Sequence, residues 1–546
     1  MRTKRKIGLF LILISFLLIT NCSTNKNSNP ADNKKSGGIL NLSLFNPVET
    51  FDPNKIIYDS DWLASMQLYE GLVGYKGSYD DLEPLIAESW EIKDSGSVYV
   101  FHIRDNVYFH DSPCFPNLQG RKVTANDILF TFKRIADNKN PNVNFSLFAD
   151  KIVGIKDYQE GKAKSIEGIK IIDPETVEFR LTNPFVTFLE ILATTSAYII
   201  PHEAVEFFKE DFYKHPVGTG PFKISYWLPT EELFLIKNKN YWGKDSNGNQ
   251  LPYIDGISYK LLSDNSLDIT GFFNGKLDFI SVNWEKYKRI KQSVTDKKYR
   301  IIKAKPLLNI RFFAFSMDKK SPLTSNKLLR EAIVEAYNRN KFYDAEDSSD
   351  NLMNTLVPPQ LLGFNLKGRT YDLSNAKKIV SELPDKIKSK VYTVCSSIKS
   401  KDAELLVEGM RNIGLKTKLD VHAKNYYRSI MKERPDIFRV SMLPSYPDPT
   451  EYYALFYSKS SNNNNLAQYN NPKFDKLFEA SLYEQDKKKR KEIFRKLENI
   501  LFDDIPVIYA THQRTEYVLL SDRIRNFKFR SIFPDFRYLW VKDEKR

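Results

Sequence analysis

Apolar residues recur along this chain with two periods, and each predicts its own kind of element. From Ile39 to Phe45 they alternate: Leu40, Leu42 and Leu44 on one side, Asn41 and Ser43 on the other. That is the period of a strand with one buried face. Val98 to Ile103 is apolar on both sides, as in a strand buried within a sheet. Thr124-Ala125-Asn126-Asp127 resembles a capping box with Asp as the reciprocal partner. The helix it starts would carry Ile128, Phe132 and Ile135 on one stripe. A second stripe joins Leu329, Ala332, Ile333, Ala336 and Tyr337. A third joins Leu406, Met410 and Ile413, with Gly414 at the expected stop. Phe474, Leu477, Phe478 and Leu482 open a further helical pattern. Ile493, Leu497, Ile500 and Leu501 continue it beyond the charged stretch 485–491. Phe536 to Val541 is the last strand expected. Elements of both types alternate and no segment repeats, so the pattern predicts an α/β protein.

The first residues follow neither period. Met-Arg-Thr-Lys-Arg-Lys precedes an apolar run from Ile7 to Ile19, and Thr20-Asn21-Cys22 follows it. A basic start, a short apolar stretch and a small-residue cleavage region make a secretory signal, and the run is short for a membrane span. A cysteine directly after the run resembles a bacterial lipobox, with Asn21 in the place usually held by Gly, Ala or Ser. Residues 1–21 then form a lipoprotein signal, and Cys22 becomes a lipidated N-terminus that anchors the protein to a bacterial membrane. An ordinary signal peptide or an uncleaved anchor is the alternative. Ser23 to Gly38 is rich in Asn, Lys and Ser and has no aromatic residue. It cannot bury enough apolar surface to offset its ordering entropy. Residues 22–36 are therefore expected to form a flexible tether.

The remaining body is too long for one compact core, so two or three domains are expected. An apolar content of 42% is ordinary for a globular chain, and no later apolar run reaches membrane-spanning length. The net charge is +14, but Arg2, Lys4, Arg5 and Lys6 belong to the leader. The remaining Lys and Arg are interspersed with Asp and Glu, which reads as a solvated surface. No nucleic-acid partner is expected. With Cys22 assigned to lipid, only Cys114 and Cys395 remain, and their wide separation gives no support for a disulfide. His202-Glu203-Ala204-Val205-Glu206 resembles the start of a zinc-protease helix, but Glu206 stands where a second histidine is required. No nucleophile elbow, phosphate-binding loop or dinucleotide fingerprint is present. No enzymatic activity, cofactor or metal is expected.

A set of longer motifs runs in fixed order through the body. Leu85 to Glu91 is followed by Tyr99 to Asp111, then by Val123 to Ile128 with Lys133-Arg134. Val217 to Ile224 and Asn240-Tyr241-Trp242-Gly243 come next, then Leu329-Arg330-Glu331-Ala332 to Asn338-Arg339. Tyr446-Pro447-Asp448-Pro449 and Asn471-Pro472-Lys473-Phe474-Asp475 complete the set. In these motifs the chain resembles the large solute-binding proteins of oligopeptide, dipeptide and nickel ABC importers, solute-binding protein family 5. Gly218 and Gly220 suit a tight turn between lobes, where positive φ is useful. Asn240 to Gly243 reads as a packed turn.

The resemblance implies a two-lobed periplasmic-binding-protein fold of class II, in its three-domain variant. Domain I would comprise 37–70, 217–305 and 511–546, domain II 71–216, and domain III 306–510. Domains I and II would form one lobe and domain III the other. Crossings near 305 and 510 would be the hinge, and solute would lie in the interlobe cleft. In peptide-binding relatives an extended segment here pairs with the peptide backbone, as in strand addition. In this chain that segment is Arg439 to Thr450, including Leu443 and Tyr446. Such relatives hold the peptide ammonium with an aspartate where this chain has Ser445, and a hydroxyl cannot neutralise a buried charge. Arg439 matches an arginine near the peptide's C-terminal end in some relatives. Asp448 either replaces the missing charge or caps the Asp-Pro turn. Ile57, Tyr58 and Asp59 fall where relatives present backbone from the other lobe. The implied protein is a monomeric, exported lipoprotein, with its body in the periplasm or at the cell surface. It would deliver a peptide or other small solute to an ABC permease and ATPase complex. Other readings are a metal-chelate or oligosaccharide binder, a sensory or adhesive lipoprotein, and an exported hydrolase.

Overall fold

The computed structural model describes residues 37–542. Outside the description are 1–36 and 543–546, with the internal residues 77–80, 141, 263–266, 283, 292–298, 305–307, 318–320, 343–353, 461–463, 511–516 and 531–532. The leader, Cys22 and the tether lie in the first of these. The expected crossings near 305 and 510 lie at two others.

The first lobe is built on antiparallel pairings with one parallel exception. Ile39–Leu44 pairs in parallel with Gly256–Leu261, and Glu232–Lys237 and Phe222–Leu228 extend that sheet antiparallel. Its alternation is the expected one, with Leu40, Leu42 and Leu44 buried. A second antiparallel sheet runs in the order Ala87–Lys93, Val98–Ile103, Thr176–Arg180, Ile169–Asp173. Helix Ala125–Ile135 starts with the expected capping box and buries Ile128, Phe132 and Ile135 in the same core. Late in the chain, Tyr517–Ser521 sits between Phe279–Val282 and Tyr299–Lys303, so the chain returns to this lobe.

The second lobe is a five-stranded sheet in the order Lys416–Val421, Val391–Ser396, Ile437–Met442, Ile310–Phe315, Val507–Tyr509. It separates two cores. Ile310, Phe312 and Ala314 enter one, and Phe313 and Phe315 the other. Helices Lys327–Ala336 and Lys401–Asn412 bury their expected stripes, and Gly414 stops the second at φ +89°. Arg330 is buried and donates to the carbonyls of Asp504 and Ile505 at the end of helix Lys487–Asp504. A guanidinium there satisfies carbonyls that the helix itself cannot.

Three expectations change. The late helical pattern is two helices, Pro472–Tyr483 and Lys487–Asp504. Asp486 breaks it by accepting from the N–H groups of Lys488 and Lys489 at 2.8 and 2.9 Å. A cap that satisfies two orphan donors favours a new start over a continuous helix. The last strand shrinks to Trp540–Val541, because Asp535 turns the chain by accepting from the Arg537 N–H. Gly218 and Gly220 do not have positive φ. They are needed because helix Asp59–Leu68 ends against them: a Cβ on Gly218 would lie 2.1 Å from the Leu68 carbonyl oxygen, and one on Gly220 2.6 Å from that of Gln67. Cys114 and Cys395 are both free thiols.

Two buried charge sites join the separate segments of the first lobe. The Arg134 guanidinium meets both Asp52 oxygens at 2.8 and 2.7 Å, with both side chains buried. The Glu70 carboxylate accepts from Thr219, Tyr241 and Trp242 at 3.0, 2.8 and 2.9 Å. The turn at 240–243 is thus packed through its ring donors.

Gly218→Ala should lower the unfolding free energy by about 1–3 kcal/mol, the usual cost of overpacking a close contact. Urea titration would show a lower midpoint at an unchanged slope. Arg134→Met should cost more, about 3–5 kcal/mol, because it leaves the Asp52 charge buried and unpaired. Asp52→Asn placed on top of it should restore part of the loss in the same titration.

Candidate functional site

Strand Ile437–Met442 leads into the segment of greatest interest, and its alternation decides which side chains are free to act. Phe438 and Val440 enter one core and Ile437 the other. Arg439 is buried, and its Nε donates to the Asp402 carboxylate at 2.9 Å. Asp402 is buried in the first turn of helix Lys401–Asn412. The Arg439 carbonyl accepts from the Tyr426 hydroxyl at 2.6 Å. Arg439 therefore stands behind the strand as half of a buried ion pair.

The next residues cross to the other lobe. Leu443 is half-buried, Ser445 is exposed and Tyr446 is buried. Tyr446 belongs to the core of the first lobe, and its hydroxyl interacts with Thr187 of that lobe as well as with Thr450. Asp448 is buried and takes the capping role of the two read for it. Its carboxylate accepts from the Thr450 N–H at 2.9 Å, starting helix Pro449–Tyr453. It also receives both terminal nitrogens of Arg490 at 2.7 and 2.8 Å.

A cavity lies where the lobes meet. Pro444, Ser445, Tyr446 and Pro447 form one wall, with Leu308 beside them. The opposite wall is aromatic: Trp62, Tyr69, Tyr75 and Tyr198, with Met66 between. Trp62, Met66 and Tyr69 come from helix Asp59–Leu68 and the residue after it. Ile57, Tyr58 and Asp59 are exposed at the start of that helix and do not line the cavity. The free interior is about 70 Å³. Sites for drug-sized molecules hold roughly 300–1,000 Å³, so a solute of that size needs the lobes to part.

Three charged groups beside the cavity escaped the motif reading. Glu451 accepts from the Ser445 N–H at 3.0 Å, and burial raises its pKa. Lys151 of the first lobe feels the Glu451 charge, and burial lowers its pKa. Burial pushes the Glu190 carboxyl up to about 7. Burial first, then the charges of Glu190, Asp448 and Glu451, raise the Tyr75 hydroxyl. Only Glu451 had a local signal, since it sits one turn into the helix that Asp448 caps. His202 lies beside Asp127 and Glu203, but Arg121 bonds both carboxylates, so a metal there would have to displace a guanidinium. The His110 Nε2–H donates to the Gly220 carbonyl at 2.9 Å, and burial lowers the imidazole pKa to about 4.

Residues 81–464 match the family profile described as Bacterial extracellular solute-binding proteins, family 5 Middle. The chain is 26% identical over 540 residues to the peptide transport periplasmic protein SapA of Salmonella typhimurium, covering 91% of each. It is 26% identical over 498 residues to heme-binding protein A of Haemophilus influenzae, covering 87% of each. Its fold matches that of the periplasmic binding protein DppA from Helicobacter pylori in complex with the peptide STSA. There the TM-score is 0.76 at 22% identity, over 93% of this chain and 99% of that one. The two-lobed α/β architecture, the ordered motifs and this profile agree: the chain belongs to the family 5 bacterial extracellular solute-binding proteins.

Proposed function

We propose that this protein is the non-catalytic, lipid-anchored binding component of an ABC importer. It captures peptides or peptide-like solutes between its lobes and delivers them to a membrane permease and its ATPase. One observation carries this reading: an aromatic-walled cavity lies between two lobes with separate cores. A site of that kind recognises a small solute by enclosure. The relatives named for peptide transport and solved with a peptide bound support the solute class.

The division into domain I (37–70, 217–305, 511–546), domain II (71–216) and domain III (306–510) is part of the same reading. So is a hinge at the two crossings. Ser445 and Tyr446 contact the solute directly. Arg439, Leu443 and Asp448 fix the strand and turn that present them, and Ile57, Tyr58 and Asp59 form the rim. Among the described residues no helix is long and apolar enough to cross a membrane. Attachment through Cys22 is part of the same reading. A non-peptide solute is the second reading. Ser445 favours it by offering no carboxylate to an ammonium group, and one relative is named for heme binding.

Native mass spectrometry of the purified protein should find peptide-sized solute retained in the cavity. Recovery of only metal chelates or sugars would favour the second reading. A charged hydrogen bond contributes about 1.5–3 kcal/mol against about 1 for a neutral one, and tenfold in affinity is about 1.4 kcal/mol. Calorimetry should therefore find roughly tenfold or less between Ser-Thr-Ser-Ala and its N-acetylated form. Ser445→Asp should widen that gap in favour of the free amine. A hundredfold preference in the unmodified protein would assign the ammonium to Glu451 instead.

The anchor has its own test. Cys22→Ser should leave the protein unprocessed by lipidation and release it from the membrane fraction. A variant that fractionates and migrates like the parent would overturn the anchor.

A further inference from the structure

The lobes also meet beside the cavity, next to the lining residues Ala193 and Thr194. Residues of the first lobe just before helix Phe188–Leu192 dock on the second lobe at the end of helix Pro472–Tyr483. Gln485 donates its side-chain N–H to the Pro184 carbonyl at 2.9 Å, and the Val186 N–H donates to the Leu482 carbonyl at 3.2 Å. The rings of Phe185 and Tyr483 lie 5.1 Å apart. Glu190 is one turn into the docked helix. Its Oε2 is shut off from solvent and receives no hydrogen bond.

A buried carboxylate oxygen without a donor is costly, and the cost falls mainly on the charged form. The groups facing Glu190 do not relieve it. From the second lobe it feels Asp448, Arg490 and Lys487. Arg490 is already committed, to both Asp448 oxygens and, through Nε, to the Ser481 carbonyl at 2.8 Å. Asp448 repels a second negative charge, and Lys487 is exposed. From its own lobe the neighbours are Tyr75 and Tyr99, whose hydroxyls stay neutral. Lys151 and Glu451 face each other at the same junction.

We propose that Glu190 is a proton-operated latch: its carboxyl group takes up a proton when the lobes come together and loses it when they part. The proposal rests on the reading that the lobes open and close. With the lobes together, burial holds the group near 7, and the charged groups that perturb it belong to the second lobe. With the lobes apart, water returns and the group relaxes toward the ordinary value of about 4.3. The form with the higher pKa binds the proton, so acid favours closure. That preference is fully present below about 4.3 and is lost as pH rises through about 7. Between pH 5.5 and 7.5 the closing equilibrium should fall on the order of tenfold.

Melting temperature cannot isolate this effect. Glu498, fully buried inside the second lobe, is also raised to about 7, and it changes only on unfolding. Interlobe distance can. Solute-free protein carrying one dye on each lobe would be followed by single-molecule energy transfer at pH 5.5 and 7.5. The ratio of closed to open molecules should fall on the order of tenfold as pH rises. In Glu190→Gln and in Glu190→Leu most of that fall should be lost. Lobes that move with a pH-independent balance, or variants that keep the parent's dependence, would overturn the latch alone. One fixed distance at every pH, with Ser-Thr-Ser-Ala present or absent, would overturn the two-lobe reading with it.

Discussion

A charge removed from water needs a partner, and the first lobe is organised around three places where this is met. Asp52 and Arg134 come from different segments, as do Glu70, Thr219, Tyr241 and Trp242. A third, Arg537 with Glu83 and Asp535, brings in the end of the chain. Pulling any of these segments away strands a buried charge, at several kcal/mol. The segments therefore behave as one body although the sequence scatters them. The second lobe has its own such centre in Glu498, which accepts from the N–H groups of Leu356 and Val357 and from the Tyr453 hydroxyl.

The contact between the lobes is of another kind. Among the described residues it includes neutral hydrogen bonds, one aromatic pair, the Tyr446 ring and the facing charges of Lys151 and Glu451. Each neutral hydrogen bond contributes on the order of 1 kcal/mol. The lobes are thus internally stiff and lightly joined. That difference supports the proposed motion at their junction rather than within them. The ion pairs nearest the cavity, Arg439 with Asp402 and Asp448 with Arg490, are satisfied within the second lobe. They shape its wall without depending on the opposite one.

Much of the fold was legible from the chain. Alternation placed Ile39–Leu44, and helical stripes placed Ala125–Ile135, Lys327–Ala336 and Lys401–Asn412. The Thr124–Asp127 box and the stop at Gly414 were also readable. These signals are local, because a period or a cap spans only a few residues. The ordered motifs located Ser445 and Tyr446, which line the cavity. Where local signals competed, the reading slipped. The apolar stripe ran on past 484–486, and only the cap at Asp486 shows why two helices formed.

What the sequence by itself determined, then, was the type of most elements, the family and the segment that forms one wall of the cavity. Only the tertiary structure decided which charges meet. It gave Arg439 to Asp402 and Asp448 to Arg490. It brought Glu451 and Lys151 to one junction and left Glu190 Oε2 buried without a donor near charges of the second lobe. It also showed that Gly218 and Gly220 answer to a helix end rather than to a turn. The physical reason is range. Periodicity and capping act between residues a few places apart, whereas desolvation and charge pairing depend on neighbours that folding brings from far along the chain.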